Sequence, residues 1–248
     1  VPIIGDLSSG LKMKVSYTMG NFTRVWDTGK GRWNYASAIG VPVQYTDIQA
    51  SLTGPRGRTV GTQDSGTQFA DLLVTPIAAG YHINERDHIA LSLPIYVPTG
   101  AYNDNRLANP GQNNYTFMPT IAFTHLDGKG GEFSLMGALE FYTRNDAADY
   151  RNGDILRLDG LWTHGFGSGW NAGLVVGYIQ QISDDQGPTA DRLNGYRGRS
   201  VGAGPTLGWS GKFADAQANI SARWIPEFDT KNRPEGNGVS VNLTLAFF

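Results

Sequence analysis

The chain of 248 residues carries little charge, much glycine and many aromatic side chains. Charged residues make up 17% of it, against about 25% in average soluble domains, and 33 residues are glycine. The net charge is −2 without a basic run, so we expect no nucleic-acid partner. The absence of cysteine excludes disulfides, thiolate zinc sites and cysteine nucleophiles. No run of about 18 apolar residues occurs, which excludes a transmembrane helix.

Apolar residues instead recur at every second position, as in Phe133, Leu135, Gly137, Leu139 and Phe141. The positions between them are mostly polar or small. A period of two places each apolar row on one face of a β-strand. Since no segment shows a sustained helical stripe, the sequence predicts an all-β protein.

The rows are long for a soluble protein and match the thickness of a bilayer. They span roughly 9–12 residues, as tilted membrane-crossing strands do, and many begin or end on an aromatic residue suited to the lipid–water interface. Short and long connections alternate along the chain, with Ser210–Lys212 among the short ones and Gly54–Gly66 among the long ones. This pattern predicts a transmembrane, up-and-down antiparallel β-barrel.

Twelve strands give the even number typical of a single-chain barrel. Eleven follow from the rows, and a twelfth is needed near residues 21–27. Only Met19–Asn21 is then left to turn the chain, so either the hairpin is very tight or loop residues are missing there; we favour the second. The predicted strands are 11–19, 21–27, 33–53, 68–81, 88–98, 115–125, 132–143, 154–164, 170–182, 200–209, 213–226 and 237–248.

If the apolar rows face lipid, the residues between them line the pore. A lysine or arginine on the lipid face near the midplane costs about 2–4 kcal/mol, so charged side chains are expected to point inward. There they either set the selectivity of the pore or pair to brace its wall. The predicted pore-lining residues are Lys12, Lys14, Asp71, Thr75, Tyr96, Glu140, Arg157, Asp159, Asp215 and Arg223.

Prolines lie inside predicted strands, where they cannot donate to the hydrogen-bond ladder. Four fall on four consecutive strands and are the predicted wall-kink residues: Pro42, Pro76, Pro94 and Pro119. We consider two interpretations. They either form bulges that shape the barrel or loosen a patch of wall through which an apolar substrate leaves sideways into the membrane.

A resemblance to a known family is carried by short motifs. Pro98-Thr99-Gly100-Ala101-Tyr102 is followed by Asn109-Pro110-Gly111-Gln112-Asn113-Asn114-Tyr115, and Gly202-Ala203-Gly204-Pro205 comes later. With these motifs the chain resembles the outer-membrane channels of the MetA-pathway phenol-degradation family, from about residue 11 to the C-terminus. The resemblance implies a monomeric twelve-stranded barrel for diffusive uptake of small hydrophobic or aromatic compounds.

Two regions complete the predicted organisation. Residues 1–10 form an N-terminal segment that either folds into the lumen as a plug or is a frayed terminus. Residues 11–248 form the barrel. The start at Val1, without a leader, is typical of a mature protein after removal of a signal peptide. We therefore expect a bacterial outer-membrane protein in contact with lipid and lipopolysaccharide.

Catalytic motifs are absent from the sequence. It has no His-Glu-x-x-His, Gly-x-Ser-x-Gly or phosphate-binding loop, and its four histidines form none of these motifs. We expect neither an enzyme nor a cofactor or metal site, and take a small organic molecule as the substrate. Three alternatives stay open. They are a soluble, lipocalin-like carrier of an apolar ligand, with apolar rows pointing inward; an outer-membrane barrel enzyme with its site at the rim; and a structural or adhesion barrel without a conducting pore.

Overall fold

The computed structural model describes residues 2–4, 7–29, 31–53, 59–192 and 195–247. They form fifteen strands of one antiparallel sheet and a short helix, α1 (Pro188–Arg192). No helix of this described part is long and apolar enough to cross a membrane. The strands are β1 (Pro2–Ile4), β2 (Leu7–Trp26), β3 (Trp33–Thr53), β4 (Thr59–Phe69), β5 (Leu72–His82), β6 (Asp87–Ser92), β7 (Ile95–Val97), β8 (Thr116–Phe117), β9 (Thr120–Leu126), β10 (Glu132–Tyr142), β11 (Ile155–Gly167), β12 (Trp170–Gln181), β13 (Arg199–Phe213), β14 (Ala216–Lys231) and β15 (Asn237–Ala246).

Sequential neighbours pair throughout, which confirms the all-β, up-and-down architecture. Three crossings of the sheet are interrupted: β4 continues as β5, β6 as β7, and β8 as β9. The wall therefore consists of eleven long crossings preceded by the three-residue β1. Between the described residues no ladder joins β15 to β1 or β2, and the number of twelve strands stays a prediction.

The predicted hairpin at Met19–Asn21 is wrong. Strand β2 runs without a break and pairs with β3 at every position from Ser8 to Trp26, with Met19 opposite Pro42 and Asn21 opposite Gly40. Because each of these residues pairs with β3 in this unbroken ladder, neither a tight turn nor a missing loop is needed here. The glycine and asparagine of this segment are strand residues.

Two predicted connections also differ from the structure. Residues Thr59–Gly66, expected within a long loop, belong to β4 and pair with the second half of β3. The expected turn at Ser210–Lys212 lies within β13, and the chain turns at Ala214 and Asp215 instead. Ala214 has a left-handed backbone with φ of 51°, which a two-residue hairpin turn requires. The predictions for Val1, Gly5, Asp6 and residues 54–58 lie outside the described residues.

The N-terminal segment contributes to the sheet. Residues Pro2–Ile4 form β1, which pairs antiparallel with Leu7 and Ser8 at the start of β2. Short turns gather at one end of the sheet, at residues 83–86, 127–131 and 168–169, and long loops at the other end. In outer-membrane barrels these ends face the periplasm and the outside, respectively.

The two faces of the sheet differ sharply in polarity. Large apolar side chains are exposed on the outer face in adjoining rows, with Leu135 50%, Leu158 46%, Leu174 58% and Val241 73% exposed. Soluble monomers rarely expose contiguous apolar patches larger than a few hundred Å². The opposite face carries polar residues, and the fully buried apolar residues are mostly alanines. A lipocalin-like carrier needs apolar rows on the inner face, so this arrangement argues for the membrane barrel.

The continuity of β2 can be tested with two alanine substitutions. A Cβ atom added at Gly20 meets its nearest atom, in Phe22, at 3.8 Å, whereas one added at Gly173 lies 1.8 Å from the Trp162 carbonyl oxygen. We expect Gly20→Ala to change the free energy of unfolding by at most about 0.5 kcal/mol and Gly173→Ala to lower it by about 3 kcal/mol. Urea unfolding in detergent measures both. Severe destabilisation by Gly20→Ala would indicate a strained turn and contradict the continuous strand.

Candidate functional site

The inner face of the curved sheet encloses a cavity of about 380 Å³. Tyr17 on β2 and Asp159 on β11 both line it although many strands separate them in the sheet, which shows how strongly the wall curves. The lining combines carboxylates, phenols, one arginine and two methionine side chains. Its residues are Tyr17, Gln44, Ala70, Asp71, Tyr96, Pro110, Gln112, Thr116, Met118, Met136, Glu140, Tyr142, Arg157 and Asp159.

A segment between β7 and β8, residues 98–115, folds across this cavity and is called the inner loop here. Its Pro110 and Gln112 belong to the cavity lining. The buried carboxylate of Asp71 fastens the loop, because its two oxygens accept the backbone N–H of Gly100 at 2.9 Å and of Gln112 at 2.7 Å. The inner loop lies so close to the wall here that Gly100 has no room for a side chain. A Cβ atom added at Gly100 would lie 2.6 Å from the carbonyl carbon of Ala70.

A second anchor holds the middle of the inner loop against β4. The guanidinium of Arg106 donates two hydrogen bonds to the carboxylate of Asp64, from Nε at 3.1 Å and from Nη2 at 2.8 Å. The backbone N–H of Ala108 adds a third at 3.0 Å. Bidentate pairs of this kind fix geometry as well as charge. Together the two anchors hold the loop inside the barrel as a constriction.

Glu140 and Arg157 form the charged part of the cavity wall. Glu140 is only 5% exposed, and it accepts hydrogen bonds from Nε of Arg157 on the neighbouring strand and from the hydroxyl of Tyr142. The pair compensates one negative charge within the lumen. A buried carboxylate that lost this arginine would be left uncompensated, at a large cost.

One buried polar group of the cavity has no partner. The hydroxyl of Thr116 is buried, and its Oγ1 makes no hydrogen bond to any described residue. Tyr96 and Tyr142 flank it directly, since Tyr96 pairs with Thr116 and Thr116 pairs with Tyr142. Buried polar groups are nearly always satisfied, and this hydroxyl is an exception among the described residues of the cavity.

The structure brings five of the predicted pore residues together around the cavity: Asp71, Tyr96, Glu140, Arg157 and Asp159. Arg223 pairs with Thr206 on β13 and, like Arg157, acts electrostatically on the Asp159 carboxylate. Thr75 lies lower in the wall, beside Pro76 and Ile39. Asp71 differs in role from the prediction, because its oxygens hold the inner loop.

Three predicted pore residues lie elsewhere. Lys12 pairs with Gln49 and Lys14 with Asp47, on the face of β2 opposite to Tyr17. The prediction assumed that the apolar row of β2 faces lipid, but this row turns inward. Asp215 lies in the tight turn between β13 and β14, outside any strand. The expectation that these three side chains line the pore therefore differs from the structure.

Two of the predicted wall-kink prolines interrupt strands, and the other two lie beside irregularities of the ladder. Pro94 separates β6 from β7, Pro119 separates β8 from β9, and Pro76 lies at a bulge between β3 and β5. Pro42 is fully buried and its carbonyl accepts the N–H of Ala70 at the break between β4 and β5. Single backbone hydrogen bonds bridge the breaks, from Leu93 to Ile77, from Met118 to Pro94 and from Leu139 to Pro119.

The residues that depend on the folded loop have no signal in the sequence. Tyr17, Gln112 and Thr116 line the cavity, and Asp64 anchors the loop, yet no spacing pattern links them. Tyr142 had a usable signal, because it stands two positions after Glu140 and so on the same face of β10. The motif residues Asn109-Pro110-Gly111 lie in the inner loop, and nothing in their order shows that this loop folds inward.

The anchor at Asp64 makes a testable prediction about acid. Hydrogen bonds from Arg106 and from the Ala108 backbone lower the pKa of Asp64 from 3.8 to about 2. The anchor is therefore complete above pH 3.8 and is lost as the pH falls through about 2. In Arg106→Gln the pKa returns toward its ordinary value, so the loop should loosen below about pH 4. Single-channel current noise between pH 7 and 3 measures this difference.

The matched control is Arg197→Gln, which removes the partner of Asp184 in a different loop. We expect this variant to keep the current noise of the unsubstituted chain over the same pH range. Equal noise in all three proteins at every pH would show that the Arg106–Asp64 pair does not hold the constriction.

Comparisons with known proteins agree with the geometry. No match was found among curated proteins. The fold resembles the crystal structure of an outer membrane channel from Pseudomonas putida F1, with a TM-score of 0.63, 17% sequence identity, and coverage of 93% of this chain and 92% of that chain. At this identity the likeness shows the fold. Residues 3–243 match the family described as "Putative MetA-pathway of phenol degradation", which confirms the resemblance read from the sequence. The chain is therefore a member of this phenol-degradation family and has the fold of an outer-membrane channel.

Proposed function

We propose that the protein is an outer-membrane channel for passive diffusion of small hydrophobic or aromatic organic molecules. The observation that carries this proposal is the constriction itself. A cavity of about 380 Å³ lies at the lower end of the range for small-molecule sites, about 300–1,000 Å³. It suits a compound built around a single ring and is too small for an oligosaccharide.

The chemistry of the constriction supports a weakly polar solute. Met118, Met136 and the rings of Tyr17 and Tyr96 offer adaptable apolar and aromatic surface. The charge of Glu140 is compensated by Arg157, and Asp71 is occupied by backbone N–H groups. A site with few polar contacts also lets the solute leave, as conduction requires.

Filling the constriction tests the proposal. Gln112 is exposed on the inner loop and lines the cavity, so Gln112→Trp should narrow the passage without touching the wall. We expect severalfold slower uptake of phenols and aromatic acids by proteoliposomes. Asp104→Trp, at an exposed position of the same loop, is the control and should keep the original rate. If the unsubstituted channel moved none of a panel of phenols, aromatic acids, alkanes and sugars faster than protein-free liposomes, the proposed function would be wrong.

The proposal includes lateral exit of apolar substrates through the wall near the prolines. Two neighbouring crossings are interrupted at Pro94 and Pro119, and Pro76 lies at a bulge of the crossing before them. Single backbone hydrogen bonds bridge these irregularities. A second cavity lies beside Pro76, and Thr75 and Ile39 are among its lining residues. At this patch the ladder has fewer regular hydrogen bonds than the continuous ladder between β10 and β11, although the wall is closed here.

A disulfide staple tests the lateral route. Val74 and Ile95 are directly paired across β5 and β7, next to the prolines, and the chain has no other cysteine. Oxidising Val74→Cys/Ile95→Cys should slow the uptake of apolar solutes and leave ion conductance unchanged, with recovery on reduction. Ile89→Cys/Phe123→Cys staples β6 to β9 away from the prolines and is the control pair. Unchanged apolar uptake in the stapled barrel would remove lateral exit and leave the channel itself in place.

The surroundings proposed for the channel are outer-membrane lipid and lipopolysaccharide, with a single chain as the transporting unit. One chain supplies every described side chain of the cavity. The outward lysines Lys12 and Lys14 stand near the long-loop end of β2, where anionic phosphates of lipopolysaccharide would be close.

A further inference from the structure

Two histidines face each other at the short-turn end of the barrel, away from the constriction. His82 ends β5, His88 follows at the start of β6, and the two residues are directly paired in the ladder. Their Nδ1 atoms lie 2.8 Å apart, and the rings are nearly perpendicular, at 84° with centroids 4.8 Å apart. The two rings therefore share one hydrogen bond, and both Nδ1 atoms border the same small space.

Both imidazoles lie on the inner face of the wall. His88 is in register with Thr124, which is in register with Ser134 on β10, and Ser134 alternates with the outward Phe133 and Leu135. The neighbouring residues Tyr81 and Ile89 form the adjacent, outward pair. The two histidines thus point into the lumen at the mouth nearest the turn of residues 83–86.

A neighbouring amide is positioned to hold the ring of His82 in the tautomer whose Nδ1 lone pair binds a metal. The side-chain amide of Asn34 lies 2.7 Å from Nε2 of His82. A half-turn of this amide group about the Cβ–Cγ bond exchanges the positions of its oxygen and its nitrogen. With the oxygen toward His82, Nε2–H donates to Asn34 and the lone pair of Nδ1 points toward His88. Metal-bound histidines are usually oriented through such a bond at the other ring nitrogen.

The spacing of the two Nδ1 atoms is close to that of two ligands on one ion. Nitrogens at about 2.05 Å from a metal lie about 2.9 Å apart at right-angled ligation and about 3.3 Å apart in a tetrahedral site. The observed distance of 2.8 Å between the two Nδ1 atoms must increase by a few tenths of an ångström for both to bind one ion. Because the described part of the chain contains no group of three or more possible metal ligands, water would complete the coordination.

We propose that His82 and His88 form a binding site for a divalent transition metal ion such as Ni²⁺, Cu²⁺ or Zn²⁺, held at the periplasmic mouth of the lumen. Imidazole nitrogen suits these three ions, and cross-strand geometry presents both ligands without rearrangement of the backbone. A hydrated divalent cation at this point narrows the mouth and adds positive charge to the entrance. Metal binding is then coupled to the current through the channel.

Binding is measured directly by isothermal titration of Ni²⁺ into the folded protein in detergent. We expect one saturable site per chain, which is lost in His88→Ala. Asn34→Ala should weaken the site by about tenfold while keeping the stoichiometry, because it removes only the bond that orients His82. His125→Ala is the matched control, since His125 lies on the outer face, bound to Asp87, and should keep full binding.

A second readout links the site to the lumen. In planar bilayers Ni²⁺ added on the short-turn side should reduce the current reversibly, and a chelator should restore it, with no effect in His88→Ala. Absence of saturable binding at millimolar Ni²⁺, or equal binding in His88→Ala, would mean that the histidines share only a hydrogen bond and would overturn the proposal. The calorimetric test requires no transport, so its failure is separate from a failure of the proposed channel function.

Discussion

Every backbone N–H and C=O group inside a bilayer needs a partner, because lipid offers none. The antiparallel ladder that joins the strands from β2 to β15 supplies these partners within the sheet, and the side-chain alternation follows from it. Since successive residues of a strand point to opposite faces, a wall between lipid and water must alternate apolar and polar side chains. Strand β11 shows both results of this need for backbone partners. Its apolar row is Leu156, Leu158 and Trp162, and its polar row is Arg157, Asp159 and Thr163.

The same constraint explains why the interior is built from polar anchors. With the large apolar side chains facing lipid, little remains to form a packed core, so hydrogen bonds hold the inner loop in place. Asp71 and Asp64 each accept backbone N–H groups of the loop, and Arg106 adds a bidentate pair. The constriction is therefore held by a few specific polar contacts. Its dimensions should respond to changes at these anchors more than to changes in the outer wall.

The regular part of the wall was predictable from the sequence. Strands β10, β11 and β12 match their predicted ranges closely, because their apolar rows lie fully within the membrane. The faces of Glu140, Arg157 and Asp159 followed from the same alternation. This part of the candidate site depends only on position along a strand, which a period of two determines.

The parts of the fold and of the candidate site that were not predictable lie beyond the membrane-spanning band or depend on long-range contacts. Lys12 and Lys14 differ from the prediction because β2 continues past the lipid, where an apolar row need not face outward. Thr59–Gly66 reads as a loop from its glycines and polar residues, yet it extends the sheet through pairing with β3. The inward fold of the inner loop is set by Asp71, about thirty residues away, and no local pattern shows such a contact.

The central claim is the orientation of the two faces, and accessibility of a spin label along β11 tests it most directly. The cysteine-free chain allows single cysteines at each position from Leu156 to Trp162 in lipid bilayers. The structure predicts that labels at 156, 158 and 162 are relaxed by oxygen, which partitions into lipid. Labels at 157, 159 and 161 should instead be relaxed by a water-soluble nickel chelate. The reverse pattern, or no alternation at all, would contradict a lipid-facing apolar row and with it the account of the lumen.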